Sequence, residues 1–351
     1  MALFKRRNRC LGIDISPTAV KLVELSHTGR QHQVEAAAVE PLAEGAMADR
    51  NPADPGQVGE AIRRALKASG SRLKQAIVAV PTSGVIIRVL PLSADLDEDE
   101  IEANIQIEAA QYIPFPLEEI YLDFQVQGRS KADAAMQEVM LVASRKENVD
   151  LREAALKEAD LSAAVVDVEG YALENTYRLL SAGLALDDAA RVALIDIGAT
   201  ITALHVLHDD RIIYIREQPF GGEQLTAAIA DAYNLPRDKA ELAKRSGELS
   251  EDYAATILAP YRRSAAEQVG HALQFFFSSS HYHSVDHIVL VGGGALVAGL
   301  DRAVTEVLGV PASIGNPFAS MACAPRVNPR SLARDAPLYA VACGLALRSL
   351  D

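Results

Sequence analysis

Cysteine is scarce in this chain of 351 residues, which has only Cys10, Cys323 and Cys343. An odd number of cysteines without a CxxC spacing excludes a zinc ribbon and offers no disulfide framework, so we expect a protein of a reducing compartment. Apolar runs such as Ile288–Val291 are far shorter than the ~20 residues that span a bilayer. Residues 1–9 are basic but lead into the polar run Asp14–Thr18, so we expect no signal peptide.

Positive charge is also in deficit, since the formal net charge is −13. A protein that coats duplex nucleic acid needs a basic face against the phosphates, so we expect no nucleic-acid partner. The exception is residues 3–9, which combine basic side chains with Leu3 and Phe4. This segment is either a solvated arm or a weak contact with an anionic membrane surface.

Three well-known fingerprints are missing. The strand Ile288–Val291 runs into Gly292, Gly293 and Gly294, but neither GxGxxG nor GxxxxGK[ST] is present there. The sequence therefore lacks the signature of a Rossmann or P-loop site. It also lacks the GxSxG elbow that would indicate a serine hydrolase. The three glycines instead predict either a plain βα turn or a wall without side chains, against which a flat base could lie.

What the chain does contain is an internal repeat. Residues 11–22 and 194–202 share an apolar strand, an aspartate, a turn of small residues and a second strand. A third strand follows in each unit, at 33–39 and 212–216, and helical patterns come next. Strands that alternate with helices in duplicate predict an α/β protein with two domains of similar design facing each other.

A segment between the two units fits neither of them. Its pattern predicts a strand, a helix, two strands, a helix and a strand, at residues 85–90, 97–111, 120–126, 139–143, 146–159 and 163–168. This order is typical of a small ferredoxin-like α+β subdomain inserted into the first domain. In the alternative, the first and last of these strands belong to the main sheet.

These patterns predict four parts of the chain. The first domain comprises residues 1–84 and 165–185, the latter including a connecting helix, and the insertion comprises 85–164. The second domain comprises 186–335, and a final helix within 336–351 packs back on the body, which could be that of the second unit.

The repeated aspartates indicate a phosphate site. Small residues in each turn, Ser16 and Thr18 in the first and Gly198 and Thr200 in the second, would let backbone N–H groups and hydroxyls approach a polyphosphate. Asp14 and Asp196 would then hold Mg²⁺ through water, since Mg²⁺ keeps much of its hydration shell beside phosphates. Taken alone, an aspartate followed by such a turn is more often an ordinary strand-end turn than a phosphate site. Lys21 would reach back to neutralise phosphates, or would simply point to solvent.

These motifs resemble those of the actin-like ATPase superfamily, which includes actin, DnaK-type chaperones, sugar kinases and FtsA. Residues 11–25 and 193–207 are similar to its two phosphate motifs, and residues 288–300 to its adenosine motif. The resemblance implies ATP and Mg²⁺ between two domains. Residues 221–226 and 240–244 are similar to FtsA segments that line ribose and adenine, which implies roles for Gly222, Glu241 and Lys244.

Within this superfamily the chain is similar to the PilM family of type IV pilus assembly. The similarity lies in residues 111–119 (QYIPFPLEE), in 122–126 and in the opening GIDISPTAVKLVEL. It implies a cytoplasmic scaffold, peripheral to the bacterial inner membrane, that binds ATP and holds the N-terminal cytoplasmic tail of PilN in a groove beside the insertion. It also implies contacts with other pilus platform and motor proteins, and a homo-oligomer is possible. Ile113 and Phe115 would either touch the peptide or pack in the core.

Enzymatic turnover is left open by the sequence. Pro17 stands where the superfamily often has a serine, and proline offers neither a hydroxyl nor an N–H. Glu169 is the nearest candidate for orienting an attacking water, or is an ordinary helix-start glutamate. We therefore expect nucleotide binding with at most slow hydrolysis. The alternatives are a small-molecule kinase of the same fold, which needs a general base in the cleft, and an FtsA-like filament-forming ATPase.

Overall fold

The fold is known from a computed structural model that describes residues 9–28, 31–130, 133–184, 186–187, 189–247 and 249–350. Most of the basic N-terminal segment 3–9 lies outside these residues. The strands are β1 (Leu11–Ile15), β2 (Ala19–Thr28), β3 (Gln31–Pro41), β4 (Met47–Ala48), β5 (Asn51–Pro52), β6 (Gln75–Val80), β7 (Val85–Ser93), β8 (Ile120–Arg129), β9 (Met136–Arg145), β10 (Ser162–Val168), β11 (Val192–Ile197), β12 (Thr202–His208), β13 (Arg211–Gln218), β14 (His287–Val291), β15 (Ala312–Ile314) and β16 (Ala322–Cys323).

The α-helices lie between these strands. They are α1 (Pro55–Ser69), α2 (Glu98–Tyr112), α3 (Lys146–Glu158), α4 (Glu169–Ser181), α5 (Gly222–Tyr233), α6 (Arg237–Ser246), α7 (Ala259–Ser279), α8 (Leu300–Leu308), α9 (Pro329–Asp335) and α10 (Ala340–Leu347). Within the described ranges, none of these helices combines the length and the apolar content that crossing a membrane requires.

The internal repeat builds two sheets of matching design. The first has the order β10-β6-β1-β2-β3-β16, and the second has the order β13-β12-β11-β14-β15. In each sheet the aspartate-bearing strand, β1 or β11, pairs antiparallel with the strand that follows it and parallel with a later strand, β6 or β14. The duplicated strand meander predicted from the sequence is therefore present in both units.

The segment between the units differs from its ferredoxin-like prediction in where its last two elements pack. Only β7, β9 and β8 form the small antiparallel sheet, with α2 packed on one face. The fourth strand, β10, pairs parallel with β6 of the first sheet, and Ala155 and Leu156 of α3 are buried in the core of the first domain. The physical reason is the repeat itself, since β10 takes the edge position that β15 takes in the second sheet.

The end of the chain also returns to the first domain, which corrects the expected boundary at 335 and the return of the final helix to the second unit. Strand β16 pairs with β3, and α10 packs against β1, β2 and α4. Gly12 of β1 permits this packing, because a Cβ there would lie 2.0 Å from the carbonyl oxygen of Ala342. One core cluster combines residues of both sheets with α4 and α10, so these two helices join the domains.

Candidate functional site

A cleft of about 1490 Å³ lies between the two domains, where the carboxyl ends of β1 and β11 face each other. All the site residues proposed from the sequence line it. They are Asp14, Ser16, Thr18, Lys21, Glu169, Asp196, Gly198, Thr200, Gly222, Glu241, Lys244, Gly292, Gly293 and Gly294. The paired turns therefore open into the same space rather than toward opposite surfaces.

The first turn is internally satisfied. Lys21 reaches back from β2 and donates to Asp14 Oδ2 and to Ser16 Oγ, at 2.7 Å in each case. The Ser16 hydroxyl in turn donates to the carbonyl of Ala19 at 2.9 Å. Both members of the Lys21–Asp14 ion pair are about nine-tenths buried. The lysine thus lies beside the aspartate in the cleft wall and does not point to bulk solvent.

The second turn carries a carboxylate in a less favourable environment. Burial raises the pKa of Asp196 to about 6; the nearby charge of Lys21 opposes this shift, and the charges of Asp14 and Glu217 add to it. Among the described residues, no basic side chain forms an ion pair with Asp196. A bound cation would therefore stabilise the charged form of this carboxylate.

The glycine turn after β14 packs directly on the second aspartate. Gly292 has a φ of 81°, and a Cβ there would lie 2.1 Å from Asp196 Oδ1. Only glycine meets both conditions, because L side chains avoid this backbone region. A short 3₁₀ turn over Gly293–Leu296 continues the chain along the cleft. The result is a stretch of backbone without side chains beside Asp196.

Glu241 and Lys244 line the cleft on the second domain and are linked through the buried Thr226. The Thr226 hydroxyl donates to Glu241 Oε2 at 2.7 Å, and Lys244 Nζ donates to Thr226 Oγ1 at 2.7 Å. Lys244 also lies 2.5 Å from Glu241 Oε2. Although burial acts in the opposite direction, hydrogen bonds from Lys244, Thr226 and Arg245 lower the pKa of Glu241. The two residues proposed for sugar and base contacts are thus mutually oriented at the cleft surface.

The carboxylate of Glu169, which was proposed to orient water, accepts a hydrogen bond from an arginine that no sequence pattern indicated. Arg50 donates to Glu169 and, at 2.8 Å, to Glu217 Oε2 of β13. Burial raises the pKa of Glu169 to about 7; the charge of Arg50 opposes this shift, and those of Asp14 and Asp196 add to it. No local pattern marks Arg50, because it lies in the two-residue turn between β4 and β5. Glu217 lies near the end of β13, the third strand of the second repeat unit. It has no motif of the kind that marks Asp14 and Asp196.

The carboxylates fit a magnesium ion held mainly by phosphates and water. Asp14 and Asp196 are close enough for one to raise the pKa of the other. In the part of the chain that the structure describes, no group of three His, Cys, Asp or Glu side chains could hold a metal alone. A site of this kind suits Mg²⁺, which binds proteins through one or two carboxylates together with substrate phosphates.

A second feature lies on the small sheet, which has one covered and one open face. The covered face packs on α2 through buried residues that include Leu90 and Ile113. On the opposite face Val89 is 55% exposed, its partner across the strands is Met140, and Tyr171 of α4 donates to Met140 Sδ at 3.0 Å. Ile113 is thus a core residue, whereas Phe115 is 40% exposed. The open face of the small sheet therefore lies next to the start of α4.

Comparison with solved structures places this fold in a class. The chain is similar to the ethanolamine utilization protein EutJ of Carboxydothermus hydrogenoformans, with a TM-score of 0.58 and 16% identity over 96% of this chain and 89% of that chain. It is also similar to MreB5 of Spiroplasma citri bound to ADP, with a TM-score of 0.50 and 13% identity over 97% and 96% of the two chains. The predicted actin-like ATPase fold is therefore confirmed.

The family follows from two further matches. The profile of the family described as type IV pilus assembly protein PilM matches residues 12–350. A structure of the PilM–PilN type IV pilus biogenesis complex matches with a TM-score of 0.81 and 30% identity, over 98% of this chain and 99% of that chain. The chain belongs to the PilM family of type IV pilus assembly proteins, as its sequence motifs predicted.

Proposed function

We propose that this protein is a nucleotide-gated scaffold of type IV pilus assembly, which binds MgATP in the interdomain cleft and the N-terminal cytoplasmic tail of a PilN-type protein on the small sheet. The observation that carries the proposal is the match, over nearly the whole chain, to a chain of a PilM–PilN type IV pilus biogenesis complex. A cytoplasmic scaffold peripheral to the inner membrane, which links the platform to the pilus motor, fits this role.

The nucleotide part of the proposal rests on the geometry of the cleft. Asp14 and Asp196 would hold the hydrated Mg²⁺, and Lys21 would neutralise phosphate charge. The side-chain-free wall at Gly292–Gly294 would carry the nucleoside, with Gly222, Glu241 and Lys244 opposite. MgATP would supply the charged triphosphate that draws the two domains together. Binding is favoured because the cleft holds Lys21 beside Asp14 and also contains Asp196, a carboxylate that a cation would stabilise.

Turnover is less well supported than binding. A residue that orients water must have a carboxylate oxygen available toward the terminal phosphate. Here one of the two oxygens of the Glu169 carboxylate, Oε2, accepts from Arg50, and Pro17 removes two potential donors from the first turn. Slow hydrolysis at most is therefore expected. The same occupation of Glu169 argues against a small-molecule kinase, which needs a base aimed at a substrate hydroxyl.

The peptide part of the proposal rests on the open face of the small sheet. Val89, Met140 and the partly exposed Tyr121 present apolar surface there, and Lys146 lies 5.4 Å from the Tyr121 ring centre. Exposed apolar surface rimmed by polar groups is typical of a protein-binding site. A mainly apolar peptide with an acidic group could use both the surface and the lysine.

Isothermal titration of a peptide from the PilN N-terminus tests the function, with and without MgATP. We expect binding that MgATP changes several-fold. Val89→Glu should weaken binding more than tenfold, whereas Ile107→Glu, which changes a 71% exposed residue on α2, should leave it within twofold. No binding in either condition would overturn the scaffold proposal. A loss caused only by Ile107→Glu would move the peptide to the other side of the subdomain, and turnover of a small-molecule substrate would favour the kinase alternative.

A further inference from the structure

Arg50 occupies a position that a structural ion pair alone does not explain. It lies in the tight turn between β4 and β5, and Asp49 and Arg50 have φ values of 46° and 63°. Glycine and asparagine favour this left-handed region, and arginine rarely adopts it. Strained backbone of this kind persists only where the surroundings enforce it, and it is concentrated at functional sites.

The surroundings that enforce this turn are a second, buried arginine. Arg152 of α3 is 0% exposed and donates to the backbone carbonyl of Arg50 at 2.8 Å and to the side chain of Asn51 at 2.7 Å. Its other hydrogen bonds within the described residues go to the carbonyls of Ala79 and Asn148. Arg152 therefore fixes the turn through backbone and amide oxygens, and no carboxylate is among these hydrogen-bond partners.

The turn places the Arg50 guanidinium among the acidic residues of the cleft. It bridges Glu169 of α4, in the first domain, and Glu217 of β13, in the second. It is also close enough to Asp196 for that carboxylate to raise the pKa of Arg50, although burial acts in the opposite direction. The Arg50 side chain is about one-quarter exposed and lines the same cleft as Asp14 and Asp196.

We propose that Arg50 is a triphosphate-sensing residue, which leaves Glu217 and binds the terminal phosphate of the nucleotide through its planar fork. This inference rests on the proposed nucleotide function. A guanidinium can bind a phosphate through two parallel hydrogen bonds, so the terminal phosphate would replace the single hydrogen bond from Arg50 to Glu217. A diphosphate is one phosphate shorter and leaves Arg50 with its carboxylates. The two nucleotides therefore differ in whether the β4–β5 turn of the first domain stays bridged to β13 of the second.

Binding of Mg²⁺ with AMPPNP, a non-hydrolysable ATP analogue, and of Mg²⁺ with ADP tests this proposal by titration calorimetry. We expect Arg50→Gln to lower the affinity for AMPPNP at least tenfold and that for ADP less than threefold. Arg50→Lys keeps the charge but loses the fork, so it should lower the AMPPNP affinity about threefold and leave the ADP affinity unchanged. Glu217→Gln should raise the affinity for AMPPNP relative to ADP. Arg302→Gln, which removes an exposed arginine on α8, should change neither.

The outcomes separate the two proposals. If the unaltered protein binds neither nucleotide, both the nucleotide function and the role of Arg50 are overturned. If it binds both, and the Arg50 variants leave the ratio of the two affinities unchanged, the nucleotide function stands and Arg50 is only a structural bridge. Should Arg50→Gln fail to fold in a thermal melt, Arg50→Lys decides the question by the same ratio.

Discussion

The two aspartate turns occupy the same place in the internal repeat, yet the charge of the aspartate is balanced differently in each. Asp14 has a lysine at 2.7 Å, and the neighbouring Ser16 hydroxyl is also engaged. Asp196, on the matching strand, has the Gly292 backbone beside it, and its pKa is raised to about 6 chiefly by burial. One turn is therefore complete without a ligand, whereas the other is not.

This difference indicates a division of labour between the domains. The first domain supplies the Lys21–Asp14 ion pair, in which each charge already has an opposite charge beside it when no nucleotide is bound. The second supplies a carboxylate that destabilises the free protein at neutral pH and is relieved when a cation arrives. A site that is costly when empty binds its ligand more tightly, because binding removes that cost. The predictions below test this asymmetry.

The largest effect is expected for nucleotide binding in Asp196→Asn. The amide cannot hold the hydrated Mg²⁺, so we expect the affinity for MgATP to fall by about 1,000-fold, or about 4 kcal/mol. The fold should be unchanged by circular dichroism, because the amide has the same shape. Titration calorimetry measures the loss. An unaltered affinity for MgATP would mean that the metal lies elsewhere.

The next effect concerns the stability of the first turn. Asp14→Asn removes the carboxylate that forms an ion pair with the buried Lys21, and removing the charge of one member of a buried ion pair is strongly destabilising. We expect a loss of about 3 kcal/mol in the free energy of unfolding, measured with urea in the absence of nucleotide. The matching substitution in the second turn, Asp196→Asn, should instead increase the free energy of unfolding. Equal losses in the two variants would contradict the asymmetry.

The stabilisation expected for Asp196→Asn should depend on pH. Because the folded state raises the pKa of Asp196 to about 6, from about 3.9 when unfolded, the folded protein holds this proton more tightly. The stability from this group is greatest below about pH 4 and is lost as the pH rises through 6. Asp196→Asn should therefore be more stable than the unaltered protein by about 3 kcal/mol at pH 7, and this gain should disappear toward pH 4.

Urea unfolding of the nucleotide-free protein between pH 4 and pH 8 measures this difference. Glu102→Gln, which removes an exposed carboxylate on α2, serves as the control and should show no such trend. Glu169, whose pKa is raised to about 7, should extend the loss of stability toward pH 8 in both proteins. A pH-independent difference between Asp196→Asn and the unaltered protein would rule out the proposed cost.

Much of this asymmetry could not be predicted from sequence. The two turns and the glycine wall were found because each is a local pattern, and the duplication placed them opposite each other. Arg50 was not found, because its position depends on a left-handed turn held by Arg152, about a hundred residues later. The pairing of β10 with β6 was only one of two alternatives, and the return of β16 to β3 was not predicted, because both depend on contacts between residues far apart in the chain. Strand periodicity shows which face is buried, but not which sheet a strand joins.

The smallest expected effect concerns Pro17, the residue that distinguishes the first turn from Ala199 at the same place in the second. Pro17→Ala restores a backbone N–H, and Pro17→Ser restores both an N–H and a hydroxyl. A hydrogen bond to a charged group contributes about 1.5–3 kcal/mol, but replacing proline also increases the freedom of the unbound turn, which offsets about 0.4–1 kcal/mol. We therefore expect Pro17→Ser to tighten MgATP binding about threefold or more and Pro17→Ala to tighten it less. If both variants bind MgATP as the unaltered protein does, the first turn does not reach the phosphates, and its contribution is limited to Asp14 and Lys21.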